Sequence, residues 1–63
     1  MKFIKFTVID ANPQHVRVRV ASLQSNASYV TNGILTFTPG EWEEVMRICA
    51  GAVDITEEVG HDA

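Results

Sequence analysis

This sequence is poor in the residues that carry chemistry. It has one cysteine, Cys49, so no internal disulfide can form and a stapled secreted scaffold is excluded. Its two histidines, His15 and His61, lie far apart, and its carboxylates are scattered. A metal centre needs three or four convergent ligands at a recognisable spacing, so none is expected. Gly33, Gly40, Gly51 and Gly60 are isolated from one another, which leaves no glycine-rich loop to cradle a phosphate. No apolar run is long enough for a signal peptide or a membrane span, because charge interrupts the chain from Lys2 and Lys5 onward. The expectation is a cytoplasmic chain with no membrane association, no cofactor and no small-molecule substrate. There is no internal repeat and no low-complexity tract.

Catalysis is not expected either. A nucleophilic cysteine needs a neighbouring base and an electropositive setting. Cys49 instead continues an apolar helical stripe near the helix's C-terminus, where a small core residue belongs. Glu43-Glu44 and Glu57-Glu58 are neighbours in sequence, and adjacent helical residues do not face one another, so neither pair suits acid–base work.

The composition shows a folded chain at the lower limit of size. Of 63 residues, 46% are hydrophobic. A domain this short buries only about 60% of its unfolded surface, so its stability is marginal. Added burial against a second copy or another protein is one way to make up the difference. The net charge of −3 conceals a division. Lys2, Lys5, Arg17 and Arg19 against Asp10 leave residues 1–40 at +3, whereas Arg47 against Glu41, Glu43, Glu44, Asp54, Glu57, Glu58 and Asp62 leaves residues 41–63 at −6. Such a split suits a charge match within the fold, a head-to-tail match, or a partner that meets one face.

The strands follow from a two-residue period. Ile4, Phe6 and Val8 share one face of the first strand, with Lys5 and Thr7 on the other. Asp10-Ala11-Asn12-Pro13-Gln14 reads as a turn. In the next segment Val16, Val18 and Val20 face one way and His15, Arg17 and Arg19 the other, so the two segments should form an antiparallel hairpin. Ser22 to Ser28 reads as a loop. It contains the glycosylation pattern Asn26-Ala27-Ser28, which a chain without a secretory signal would not use. Asn32-Gly33 between Tyr29-Val30-Thr31 and Ile34-Leu35-Thr36-Phe37 is the usual signal for a second, two-residue hairpin.

A helix should follow. Thr38 and Glu41 have the spacing of a capping box, Pro39 suits the first helical position, and Phe37 and Trp42 are placed to form a hydrophobic staple. Trp42, Val45, Met46, Cys49 and Val53 recur at helical spacing, with Ile48 widening the stripe and Gly51 as the expected left-handed stop. Residues 52–59 fit either a short strand through Val53 and Ile55 or a second helix starting near Asp54.

The stretch Gly33-Ile34-Leu35-Thr36-Phe37-Thr38-Pro39-Gly40-Glu41-Trp42 resembles a family of small actinobacterial proteins of unknown function, often encoded beside helix-turn-helix regulators. The likeness spans about residues 16–54. Where that family has Arg-Asp-Ser after its second strand, this chain has Val20-Ala21-Ser22. The resemblance implies a regulatory partner protein and an antitoxin-like role, and a chain of this kind would also suit a bacteriophage of such hosts.

The expected architecture is α+β: an antiparallel sheet of three to four strands, made of two hairpins and packed by one C-terminal helix. Residues 1–59 should form a single ββββα-type domain and residues 60–63 a flexible tail. The expected core is Ile4, Phe6, Val8, Val16, Val18, Val20, Val30, Leu35, Phe37, Trp42, Val45, Met46 and Cys49. The candidate partner-binding residues fall into two groups. Phe3, Lys5, Ile9, His15, Arg17 and Arg19 would line the outer face of the first hairpin, and Glu43, Glu44, Glu57 and Glu58 would form an acidic surface. A regulatory protein is the first expected partner, a homodimer the alternative source of burial. An inhibitor that presents the acidic surface to a nucleic-acid-binding protein comes second. Nucleic acid itself comes third, because three cations in an acidic chain supply few phosphate contacts.

Overall fold

The computed structural model describes residues 2–58. The order is β1 (Ile4–Ala11), β2 (Val16–Leu23), β3 (Tyr29–Phe37), α1 (Pro39–Cys49) and β4 (Val53–Glu57). The strands form one sheet in the order β3-β2-β1-β4. β1, β2 and β3 make an antiparallel meander, and β4 joins the far side of β1 in parallel. The fold is α+β with four strands and one helix, as expected. The sheet is mixed, however, and the helix is followed by a strand. Of the two readings of residues 52–59, the strand through Val53 and Ile55 is the one formed. Among the described residues no helix is long and apolar enough to cross a membrane. The expected tail over residues 60–63, together with His61 and Asp62, lies outside the described residues.

The first hairpin forms as its alternation requires. Phe6 stands opposite Val20, and Val8 opposite Val18. Its loop is held by Asn12, whose Oδ1 accepts from the backbone N–H groups of Gln14 at 2.7 Å and His15 at 2.9 Å. A side-chain carbonyl two residues back is what an Asx-type turn needs. A bulge between Val8 and Asp10 leaves Ile9 out of the ladder and sets Asp10 opposite Arg17.

The second hairpin is not where Asn32-Gly33 predicts it. Residues 29–37 are one continuous strand, and the turn is Gln24–Ser28. Gln24 N–H donates to the Ser28 carbonyl at 2.7 Å, and Ala27 N–H to the Gln24 carbonyl at 2.9 Å. Ala27 takes φ of 68°, the only positive value at a non-glycine among the described residues. Asn32 is instead a bulge: Val20 pairs with Gly33 and Ala21 with Thr31, so Asn32 has no partner residue on β2. Its Nδ2 donates to Ser22 Oγ at 3.2 Å. Bulges and tight turns draw on the same residues, which is how one dipeptide can signal either.

The helix begins as the sequence predicts. Glu41 N–H donates to Thr38 Oγ1 at 3.1 Å, and Thr38 N–H donates to Glu41 Oε1 at 2.9 Å, which completes the capping box. Phe37 and Trp42 form the staple with ring centroids 5.6 Å apart. The C-terminus differs from expectation. Ala50 caps it in right-handed conformation, and Gly51 has no positive φ.

The helix packs on one face of the sheet, where Val8, Val16, Val18 and Trp42 form the core cluster. Phe6, Phe37, Val45, Met46 and Ile55 pack around it. Val18, on the second strand in from the β3 edge, is fully buried. Val53 and Ala21 are also buried. The interior is smaller than the expected thirteen residues. Val30 and Leu35 lie on the helix-side face but are 48% and 49% exposed, because β3 is an edge strand with a neighbour on one side only and its packing on the helix is at Phe37. Ile4, Val20 and Cys49 are half-buried, and Ile48 points away from the sheet at 66% exposure.

Candidate protein-binding face

One helix can cover only one side of a four-stranded sheet. The register fixes what the other side presents. Thr7 pairs with Arg19 and Arg19 with Ile34; Lys5 pairs with Ala21 and Ala21 with Thr31; Arg17 pairs with Thr36. These residues alternate with the valines of the core, so they share the open face. On β4, Asp54 and Thr56 join them opposite Lys5 and Thr7.

The open face is organised in two parts. Near the β3 start, Tyr29 lies under Lys5, whose Nζ stands 5.2 Å from the ring centroid. Ala21 is buried between their strands, and its small side chain lets Lys5 reach over. Tyr29 Oη donates to the Lys2 carbonyl at 3.2 Å, which fixes the ring. Phe3, just before β1, is 69% exposed, and its carbonyl accepts from Leu23 N–H at 2.8 Å. Toward the middle, Thr7 is buried with its Oγ1 3.2 Å from Thr56 Oγ1. No buried side-chain nitrogen or oxygen lacks a partner among the described residues.

Most of the charges on this face are engaged. Arg19 donates to Glu58 Oε2 at 2.9 Å, joining the basic hairpin to the acidic end of the chain. The charge division along the sequence is therefore matched in part within the fold. His15 Nε2 is 3.1 Å from Asp10 Oδ2 and 3.4 Å from Asn12 Nδ2, an arrangement that closes the hairpin end. Arg17, exposed and opposite Asp10, makes no hydrogen bond or ion pair with the described residues.

The ten candidate residues thus separate. Phe3, Lys5, Arg17 and Arg19 come together on or beside the open face. His15 belongs to the loop contact, and the bulge takes half-buried Ile9 out of the alternation that placed it there. The four glutamates do not form one surface. Glu43 and Glu44 lie on the helix, where Glu44 pairs with Arg47. Glu57 pairs with Val8 on β4, and Glu58 turns to Arg19 on the side of the sheet away from the helix. Tyr29 and Ile34 are the open-face residues that the hairpin reading of Asn32-Gly33 missed. The signal was present in the alternation of Tyr29 and Thr31, then Ile34 and Thr36 after one inserted residue.

Cys49 is half-buried on the helix, and no group of three or more metal-ligating side chains occurs among the described residues. At the β3 edge there is a shallow apolar depression of about 240 Å³, lined by Val20, Asn32, Gly33, Ile34 and Leu35. Comparison with protein-family models, with curated proteins and with solved structures gives no match.

Proposed function

We propose that this chain is a non-catalytic protein-interaction module that binds a regulatory protein through the open face of its sheet. The observation that carries this reading is the one-sided packing. The helix covers a single face, and the other presents Tyr29 at one end, with exposed Phe3 just before β1, and Ile34 and Arg17 toward the other end. Aromatic residues and arginine are the types enriched at protein interfaces, and exposed apolar side chains grouped on one face mark a contact surface.

The internal ion pairs weigh against the other two readings. Lys5 rests on Tyr29 and Arg19 on Glu58, so a phosphate backbone would find one unengaged arginine on this face, Arg17. An inhibitor that presents all four glutamates would need Glu58 released from Arg19. That the partner is a regulatory protein, of a host or cognate to this chain, rests on the resemblance of residues 33–42 to the actinobacterial family. In this fold the most distinctive of those residues serve the strand-to-helix junction, as staple, cap and first turn.

The test is capture of partners from a nuclease-treated lysate of the source cells, comparing the wild-type chain with two variants. Arg17→Glu combined with Ile34→Asp should abolish capture, and Glu43→Gln combined with Glu44→Gln should preserve it. The opposite pattern would move the interface to the helix. Capture that disappears on nuclease treatment would transfer the function to nucleic acid.

A further inference from the structure

Every formally charged residue of the chain lies in residues 1–19 or 41–63. From Val20 to Gly40 there is no Asp, Glu, Lys, Arg or His. The fold gathers this run at one border of the molecule, as the end of β2, its turn, and the whole of β3. β3 is an edge strand of nine residues with no neighbour on its outer side among the described residues. Natural edges are normally guarded by charge, proline, brevity or a bulge. The opposite edge fits that rule: β4 has five residues, including Asp54 and Glu57. β3 has neither charge nor proline, and Val30, Ile34 and Leu35 are about half exposed along it. Its one guard is the bulge at Asn32, which leaves Gly33–Phe37 as a straight segment.

We infer that this edge pairs with the same edge of a second copy. The two β3 strands run antiparallel across a twofold axis at Leu35, the middle of Gly33–Phe37, and the two sheets join into one of eight strands. The charge pattern selects this occupant. A twofold axis brings each residue near its own copy, so a homotypic contact tolerates no charge close to the axis. β3 meets that condition. β4 against β4 would set Asp54 and Glu57 near their copies. β3 against β4 would leave free edges at both ends and generate an open filament instead of a closed dimer. The apolar depression beside Leu35 on each copy lies next to the axis, where the partner's Leu35 can enter it.

The contact is small. The paired segment, five residues at about 3.4 Å each, makes an edge roughly 17 Å long and about 10 Å deep, well short of a standard interface. The dimer is therefore weak and concentration-dependent, in the micromolar range or above. It leaves the open face free and doubles it, so it stands apart from the function proposed above.

Sedimentation velocity from about 1 μM to about 1 mM should show reversible dimerisation. Over the same range, backbone amides of Gly33–Phe37 should gain hydrogen-exchange protection while those of β4 do not. Leu35→Lys, at the axis, should weaken the dimer by about tenfold or more, whereas Val30→Lys, beyond the Asn32 bulge and outside the paired segment, should leave it unchanged. Circular dichroism of each variant reports retention of the fold, and the exchange measurement on the wild-type chain does not depend on either variant. A wild-type chain that stays monomeric to about 1 mM, or a dimer whose protection appears on β4, would overturn the inference. Arg17→Glu alone, on β2 and away from the β3 edge, separates the two readings: it should abolish lysate capture and leave the dimer intact, so loss of one reading leaves the other standing.

Discussion

Ala27 occupies a conformation that suits a different residue. Its φ of 68° lies in the left-handed region, where the Cβ of an L-residue crowds the following carbonyl at a cost of about 1–2 kcal/mol. The position is imposed by the turn. With Gln24 and Ser28 bonded at 2.7 Å and Ala27 N–H returned to Gln24, the chain must reverse over three residues, and such turns place glycine at this site. Ala27 is exposed, so removing its methyl group forfeits no packing. Against the relief stands the greater freedom that glycine gives the unfolded chain, about 0.5–1 kcal/mol. The balance predicts that Ala27→Gly stabilises the fold by about 0.5–1 kcal/mol. For a chain whose whole stability is on the order of 3–9 kcal/mol, that is a measurable share. It corresponds to a rise in Tm of roughly 2–8 °C. Urea unfolding followed by circular dichroism should show a higher midpoint with an unchanged slope. Ala27→Asn should gain less, since asparagine tolerates this region less well than glycine, and Ala27→Val should lose stability. If Ala27→Gly unfolds at lower urea than the wild-type chain, the turn at Gln24–Ser28 is wrong, and so is the register of β3 that follows from it.

Three further outcomes test the rest of the fold. Gly33 has no positive φ and a Cβ there would meet nothing within 4 Å, so Gly33→Ala should be neutral or stabilising by about 0.4–1 kcal/mol in the same assay; a type I′ turn at this site would make it clearly destabilising. Thr38→Ala removes the acceptor of the Glu41 N–H and should cost about 1 kcal/mol in the chemical-unfolding midpoint. A double-mutant cycle on half-buried Arg19 and exposed Glu58 should return a coupling of about 0.2–1 kcal/mol that shrinks as salt is raised.

The parts of the fold that were legible in the sequence share a property: several independent constraints agree on them. The first hairpin has three valines in alternation with two arginines, so a one-residue slip would bury charge. The helix start has a cap, a returning glutamate, a proline and two aromatics at the required spacings, all within Phe37–Trp42. The second hairpin was signalled by a single dipeptide. Asn-Gly is permitted in a type I′ turn, but permission is weaker than requirement, and Asn32 finds an equally good use bonded to Ser22 at a bulge. The real turn lies in Gln24–Ser28, where alanine holds the strained position and no glycine or proline announces it. Once residues 29–37 become one strand, the fourth strand must come from beyond the helix, and β4 supplies it.

The same error displaced part of the site. Reading Leu35 and Val30 as core presumes that the helix covers β3 along its length, but the packing on that strand is at its end, where Phe37 meets Trp42, and Val30 and Leu35 remain about half exposed. The rest of this edge strand is left uncovered, and the side chains that pattern alone assigns to the interior become surface. An apolar residue on an edge strand has two physical destinations, under the helix or against another chain. Periodicity cannot distinguish them, since both require the same alternation. Charge can. A strand buried under its own helix can carry charge at its end, as β1 does at Asp10 and β2 at Arg17, whereas a strand that meets its own copy must be free of charge on both flanks as well as within. The run from Val20 to Gly40 satisfies the stricter condition, and summing charge over residues 1–40 hides it by averaging it with Lys2 through Arg19.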